Sequence, residues 1–259
     1  MFVDSHVHLD AAAFQPDRTQ VIERAHTAGV RTLIVPAVDA ASWGQIRRLS
    51  GGRIFPAYGL HPMFVDHHAP EDVDALSSWL DFGDAVALGE IGLDFHQDTC
   101  DQPAQRRYFS AQLQLAQERK LPVIVHARKA LEEVILTLRN FSGLRGVIHS
   151  FTGSQQQAER LWQMGFYLGI GGTVTYARAQ RLRRTVANMP GELLLLESDA
   201  PDQPDADHRG QRNEPARVAG IAQCIATLRA EPLAALAAST SANACRLFGL
   251  DPATSQLLP

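Results

Sequence analysis

Cysteine is scarce. Cys100, Cys224 and Cys245 are odd in number, widely spaced and without a Cys-x-x-Cys pair, which excludes a disulfide scaffold, a redox pair and a thiolate zinc site. They read as ordinary thiols of a reducing compartment. Long apolar runs are also lacking: even Leu193 to Leu196 meets Glu197 at once, far short of the roughly 20 residues that span a bilayer. The opening Met-Phe-Val-Asp-Ser-His carries neither a basic leader nor an apolar signal core, so the expectation is a cytoplasmic protein without a membrane partner. No excess of positive charge exists either. The formal net charge of −4 excludes a sequence-independent nucleic-acid coat, and any attraction for phosphate must be local.

What the chain has is core. With 259 residues, 45% of them hydrophobic, 19 Gly and 14 Pro, it has the make-up of an ordinary globular protein, and one domain over 1–259 is the expectation. Short apolar, β-branched runs alternate with helix-period stretches, the pattern of repeated βα units around a parallel sheet. Strands are predicted over 2–6, 31–36, 54–59, 85–91, 122–126, 146–149, 166–170 and 193–197. Helices are predicted near 17–28, 40–49, 71–81, 104–119, 130–140, 154–164 and 178–187, with two more near 215–229 and 232–248. Gly29 and Gly165 stand where a left-handed C-cap is wanted, and Ser154 where an N-cap is wanted. Eight units predict an α/β (β/α)8 TIM barrel, and an open doubly wound sheet is the alternative.

Metal-binding residue types fall at the ends of these runs. His6 and His8 close the first, spaced so that both point to one side of a strand. Glu90 follows Val-Ala-Leu-Gly, where a buried carboxylate needs a compensating partner. His126 ends Pro-Val-Ile-Val, His149 ends Gly-Val-Ile, and Asp199 follows Leu-Leu-Leu-Leu-Glu-Ser. Alone, His-x-His arises by chance, and His126 or His149 in isolation reads rather as a satisfied core histidine. In a barrel, however, the C-terminal strand ends converge on one mouth, and the six then share one site. Four imidazoles and two carboxylates suit two divalent ions, of zinc, magnesium or manganese, with His6, His8 and Asp199 on one, His126 and His149 on the other, and Glu90 between.

The chain resembles the TatD-like metal-dependent deoxyribonucleases, a branch of the amidohydrolase superfamily. The matching segments are Phe-Val-Asp-Ser-His-Val-His (2–8), Gly-Leu-His-Pro (59–62), Gly-Glu-Ile-Gly-Leu-Asp (89–94), Leu-Pro-Val-Ile-Val-His (121–126), His-Ser-Phe-Thr-Gly (149–153), Glu-Ser-Asp-Ala-Pro (197–201), Arg-Asn-Glu-Pro (212–215) and Asn-Ala-Cys-Arg-Leu-Phe (243–248). They run in the family's order over nearly the whole chain. The resemblance implies a barrel nuclease acting on DNA, with RNA as a second candidate substrate, and the six metal ligands carry over to the positions named above. Two departures, Met63 where the family often has a second His and Asp202 where it often has Tyr, bear on substrate preference rather than metal.

The expected chemistry is hydrolysis of a phosphodiester by a hydroxide held between two ions, with Asp199 as ligand and proton acceptor and Glu90 as bridge. His61, Arg128, Arg209 and Arg212 are candidates to contact phosphate, against solvated surface residues. Arg181, Arg183 and Arg184 read as a solvated helix face, while Phe95 and Phe151 read equally as base platforms or as core. Barrels that bridge their metals with a carboxylated lysine are disfavoured, because the only lysines, Lys120 and Lys129, do not end the fourth run. Ester or amide hydrolysis, including aminoacyl-tRNA esters, is the alternative activity, and a barrel that binds metal or nucleic acid without turnover is the alternative class. No protein partner is implied.

Overall fold

A computed structural model describes residues 1–251. The expected unit over 1–259 includes 252–259, which lie outside the described residues. Eight parallel strands run in sequential order: β1 (Phe2–Asp4), β2 (Val30–Pro36), β3 (Ile54–Tyr58), β4 (Ala87–Asp94), β5 (Val123–Arg128), β6 (Gly146–Ile148), β7 (Tyr167–Ile170) and β8 (Leu194–Leu196). The seam between the last strand and the first is closed by Ser5 N–H donating to Leu196 O (3.0 Å) and Asp199 N–H donating to His6 O (2.9 Å). The sheet is thus a TIM barrel and not the open alternative.

Helices return the chain between strands: α1 (Arg18–Thr27), α2 (Ala40–Leu49), α3 (Asp72–Leu80), α4 (Gln102–Arg119), α5 (Leu131–Leu138), α6 (Gln155–Gln163) and α7 (Gln180–Asn188), followed by α8 (Val218–Arg229) and α9 (Leu233–Phe248). Their ends have local causes. Ser154 caps α6 through a reciprocal box with Gln157, and Asp39 does the same for α2 with Ser42. Gly29 and Gly165 take φ of 85° and 79° just beyond α1 and α6, in the left-handed region that a C-cap requires. Among the described residues no single helix is long and apolar enough to cross a membrane.

Strand alternation divides the core. One cluster takes a side chain from every strand, among them Val3, Ile34, Ile124, Val147 and Leu195, and is closed from below by Phe248 and Leu250 at the end of α9. This is the barrel interior. Two residues further along the same inward face stand His126 above Ile124, His149 above Val147 and Glu197 above Leu195. The apolar plug therefore occupies the lower barrel, and polar chemistry begins one layer higher.

Strand limits shift from expectation by one to three residues, and two of the shifts bear on the site. β1 ends its ladder at Asp4, although Val7 N–H still donates to Ile34 O (3.1 Å) and His8 N–H to Ala200 O (2.9 Å), so the backbone stays pinned through His8. β4 runs on to Asp94. Its register slips between Leu88 and Ile91, where three steps on β4 match two on β5, from Val123 to Val125. This bulge re-aims the strand around Glu90.

Candidate metal centre

Glu90 is 1% exposed and its two carboxylate oxygens face different partners. Oε2 lies 3.2 Å from His6 Nε2 and 3.5 Å from His8 Nε2. Oε1 lies 2.8 Å from His149 Nε2, 3.0 Å from His126 Nδ1 and 3.0 Å from His61 Nε2. Asp199 enters from the loop after β8, with Oδ1 3.5 Å from His6 Nε2 and 3.7 Å from His8 Nε2. All six residues expected to share one site are therefore brought together, and His61 joins them.

Close approach of backbone makes this possible. A Cβ at Gly59 would sit 2.6 Å from the carbonyl carbon of Gly89 and 2.9 Å from Glu90 N, so glycine is what lets β3 lie against the turn of β4 that aims Glu90 inward. Glu90 N–H is held by Ala37 O at 2.9 Å.

The donor set fits divalent cations. His6 Nε2 and His8 Nε2 are 3.2 Å apart, and His126 Nδ1 and His149 Nε2 are 3.1 Å apart, so lone pairs converge where hydrogen-bond donors are too few. Glu90 Oε2 is buried with no hydrogen bond at all. Burial alone would raise the Glu90 carboxyl, but His61, His149, His6 and His126 outweigh it and hold Glu90 well below its usual range. Burial and the neighbouring His149 lower His6 to about 4. Burial also opposes charge on His149, yet Glu90, Asp199 and Glu197 raise it to about 10. The carboxylates thus favour positive charge on the His149 side of the cluster, while burial leaves His6 neutral.

A supporting set of residues went unread in the sequence. Asp94 Oδ2 meets His126 Nε2 at 2.9 Å, while Asp94 Oδ1 accepts from His96 N–H at 2.8 Å. Glu197 is fully buried, accepts from Ser150 N–H at 2.5 Å, and is raised to about 8, chiefly by burial. Gln203 donates to Asp199 Oδ2 and accepts from Ser150 Oγ at 2.8 Å, linking the loops after β6 and β8. Glu197 was legible in principle, since a carboxylate straight after four leucines poses the same problem as Glu90 does.

His61 is 5% exposed. Its Nδ1 accepts from Met63 N–H (3.1 Å), so the ring proton sits on Nε2 and is donated to Glu90. Burial lowers its pKa and keeps the ring neutral. Arg128 and Arg209 are exposed, at the end of β5 and in the loop after β8. Arg212 is different. It is committed to Asp17 (2.7 Å) and Glu214 (2.9 Å) and lies over the Phe14 ring, so the expectation of a phosphate contact there is corrected to a structural ion pair. Phe151 is buried in the core, and half-buried Phe95 packs under Arg106. Lys120 caps α4 and Lys129 is exposed, so neither enters the site.

The chain matches the family model described as TatD related DNase over residues 3–249. It is 37% identical over 254 residues to the uncharacterized metal-dependent hydrolase YjjV of Escherichia coli (strain K12), spanning 96% of this chain and 98% of that one. It is 36% identical over 259 residues to the 3′-5′ ssDNA/RNA exonuclease TatD of Erwinia tasmaniensis, spanning 95% and 99%. The crystal structure of YjjV, a TatD homologue from Escherichia coli K12, superposes with a TM-score of 0.93 at 36% identity, covering 96% of this chain and 98% of that one.

Proposed function

The chain belongs to the TatD-related DNase family of metal-dependent hydrolases, and from its site we propose that it hydrolyses phosphodiester bonds of single-stranded DNA or RNA with two divalent ions. The observation that carries this reading is the division of Glu90, one oxygen toward His6 and His8 and the other toward His126 and His149. His6, His8 and Asp199 would hold one ion and His126 and His149 the other. Such ions supply activation of water and polarisation of the phosphoryl oxygen.

The remaining work falls to the chain. Asp94 takes the Nε2 proton of His126 as a hydrogen bond, which leaves Nδ1 as the ligand atom. Gln203 occupies Asp199 Oδ2, fixing the carboxylate so that Oδ1 faces the histidines and can receive the proton of the attacking water. His61 donates its one ring N–H to Glu90 Oε1, and would serve a non-bridging phosphate oxygen by turning that N–H from the carboxylate once cations neutralise it. Arg128 and Arg209 stand on the rim as further phosphate contacts. We carry the exonuclease class of the Erwinia relative, with its 3′-5′ direction, to this chain as part of the same proposal.

The test is nucleotide release from 3′-labelled and 5′-labelled single-stranded DNA by metal-loaded protein beside a Glu90→Gln control. Metal-dependent loss of the 3′ label first, absent in the control, supports the reading. No product from either label, in protein shown to hold its metals, shifts the activity to carboxylic esters or amides.

A further inference from the structure

Beside the metal cluster, the loops after β6, β7 and β8 and the start of α7 line an open cavity of about 680 Å³ bordered by Thr152, Tyr176, Arg178, Arg181, Leu182 and Gln203. It is contiguous with the site: Gln203 both borders the cavity and bonds Asp199, and Thr152 lies three residues beyond His149. The Arg178 guanidinium lies 5.5 Å over the ring of Tyr176, whose hydroxyl is anchored to Pro204 O at 3.0 Å. Arg181 donates to Thr152 O at 2.8 Å.

Both arginines are exposed, and among the described residues no acidic side chain borders the cavity. Elsewhere Arg160 and Arg229 are each neutralised by a glutamate. In a chain of net charge −4, this is a local positive pocket with an aromatic floor, one step from the ligands His149 and Asp199. Its volume falls in the range of sites for single small ligands, enough for one unstacked nucleotide.

We propose that this cavity receives the nucleotide next to the scissile phosphate, its backbone phosphate on Arg178 and Arg181 and its base on the face of Tyr176. The assignment rests on the phosphodiesterase reading and adds to it the side chains that hold the flanking nucleotide. It also changes the reading of Arg181, which as sequence alone belongs to a solvated helix face.

The experiment is fluorescence anisotropy of a labelled, phosphorothioate-linked oligothymidylate that resists cleavage, titrated with metal-loaded full-length protein. Arg178→Gln and Arg181→Gln each weaken binding, and each lowers the slope of log K against log salt by about 0.7. Tyr176→Leu weakens binding about tenfold, a loss in the range expected for one base stacked on an aromatic ring, and Tyr176→Phe restores it. Because both Tyr176 variants lose the bond to Pro204, a merely structural role would show equally in both. Arg145→Ala, which removes an exposed charge just before β6 at the opposite end of the barrel, leaves binding as in the unaltered chain. Unchanged slopes in both Gln variants, an equal loss in Arg145→Ala, or equally tight binding of a duplex overturns the subsite. The two proposals separate cleanly. Binding with this pattern but no cleavage of ordinary oligonucleotides sinks the phosphodiesterase reading, whereas cleavage with unchanged binding in the variants sinks only the subsite.

Discussion

Asp94 Oδ2 lies 2.9 Å from His126 Nε2, on the side of the ring away from Glu90. Burial alone would raise the Asp94 carboxyl, but hydrogen bonds from His126 and from His96 N–H outweigh it and keep it low. The pair settles which nitrogen of His126 faces the site. Asp94→Asn should therefore reduce metal affinity or turnover about 10–100-fold, the usual effect of removing a carboxylate behind a ligating histidine. Metal titration by calorimetry measures it, and an unchanged affinity together with an unchanged rate refutes the role.

Asp199 touches the cluster through one oxygen only, because Gln203 holds the other. Asp199→Asn keeps the shape and removes the proton acceptor. Turnover should fall at least about 100-fold while metal content, read by mass spectrometry, changes much less. Parallel loss of both would make Asp199 a ligand alone.

Gly169 on β7 faces the buried Glu197 with no room for another carbon: an added Cβ would stand 2.7 Å from Glu197 Cδ and closer still to its Oε2. Glu197 is held there by Ser150 N–H at 2.5 Å, so giving way costs that buried bond. Gly169→Ala should destabilise the fold by about 2–3 kcal/mol, as overpacking of a filled interior does. A denaturant midpoint equal to that of the unaltered chain would show that Glu197 moves freely.

Arg212 and Arg24 join Asp17 beside α1 to Glu214 in the loop before α8. Arg212 and Arg24 hold the Asp17 carboxyl well below its usual range. Burial pushes Glu214 up, but the same arginines prevail and lower it. Folded pKa values below the unfolded ones mean stabilisation that is full above about pH 5 and lost as pH falls through the lowered values. Arg212→Ala should lower the melting temperature by roughly 2–4 °C near neutral pH, and the gap should close in acid. Thermal scans across pH check this, and a gap that widens in acid contradicts it.

These residues show what sequence reading reaches. Runs such as Pro-Val-Ile-Val-His and Gly-Val-Ile-His announce both a buried strand and the polar group at its end, because apolar continuity and an abrupt imidazole are local signals. Caps at Ser154 and Gly165 are local too, and they appeared where expected. Asp94 escaped notice because β4 was expected to stop at Ile91, and nothing nearby in sequence signals the register slip that carries the strand onward. Arg212 was misread for another reason. Its partner Asp17 is 195 residues away, and only the closed barrel brings them together. An arginine in a polar loop looks the same whether it awaits a phosphate or already holds a carboxylate. Gln203 carries no charge and no motif weight, and only its bond to Asp199 reveals it.

We propose that Glu90 divides two cations between its oxygens. Anomalous diffraction from manganese-loaded crystals tests it most directly, with metal content of Glu90→Gln measured beside it. The claim predicts two peaks about 3.5–4 Å apart, one on the His6, His8 and Asp199 side and one on the His126 and His149 side, with Glu90→Gln retaining less than the full pair. A single peak in fully loaded protein, or two peaks that both lie on the same Glu90 oxygen, would contradict it.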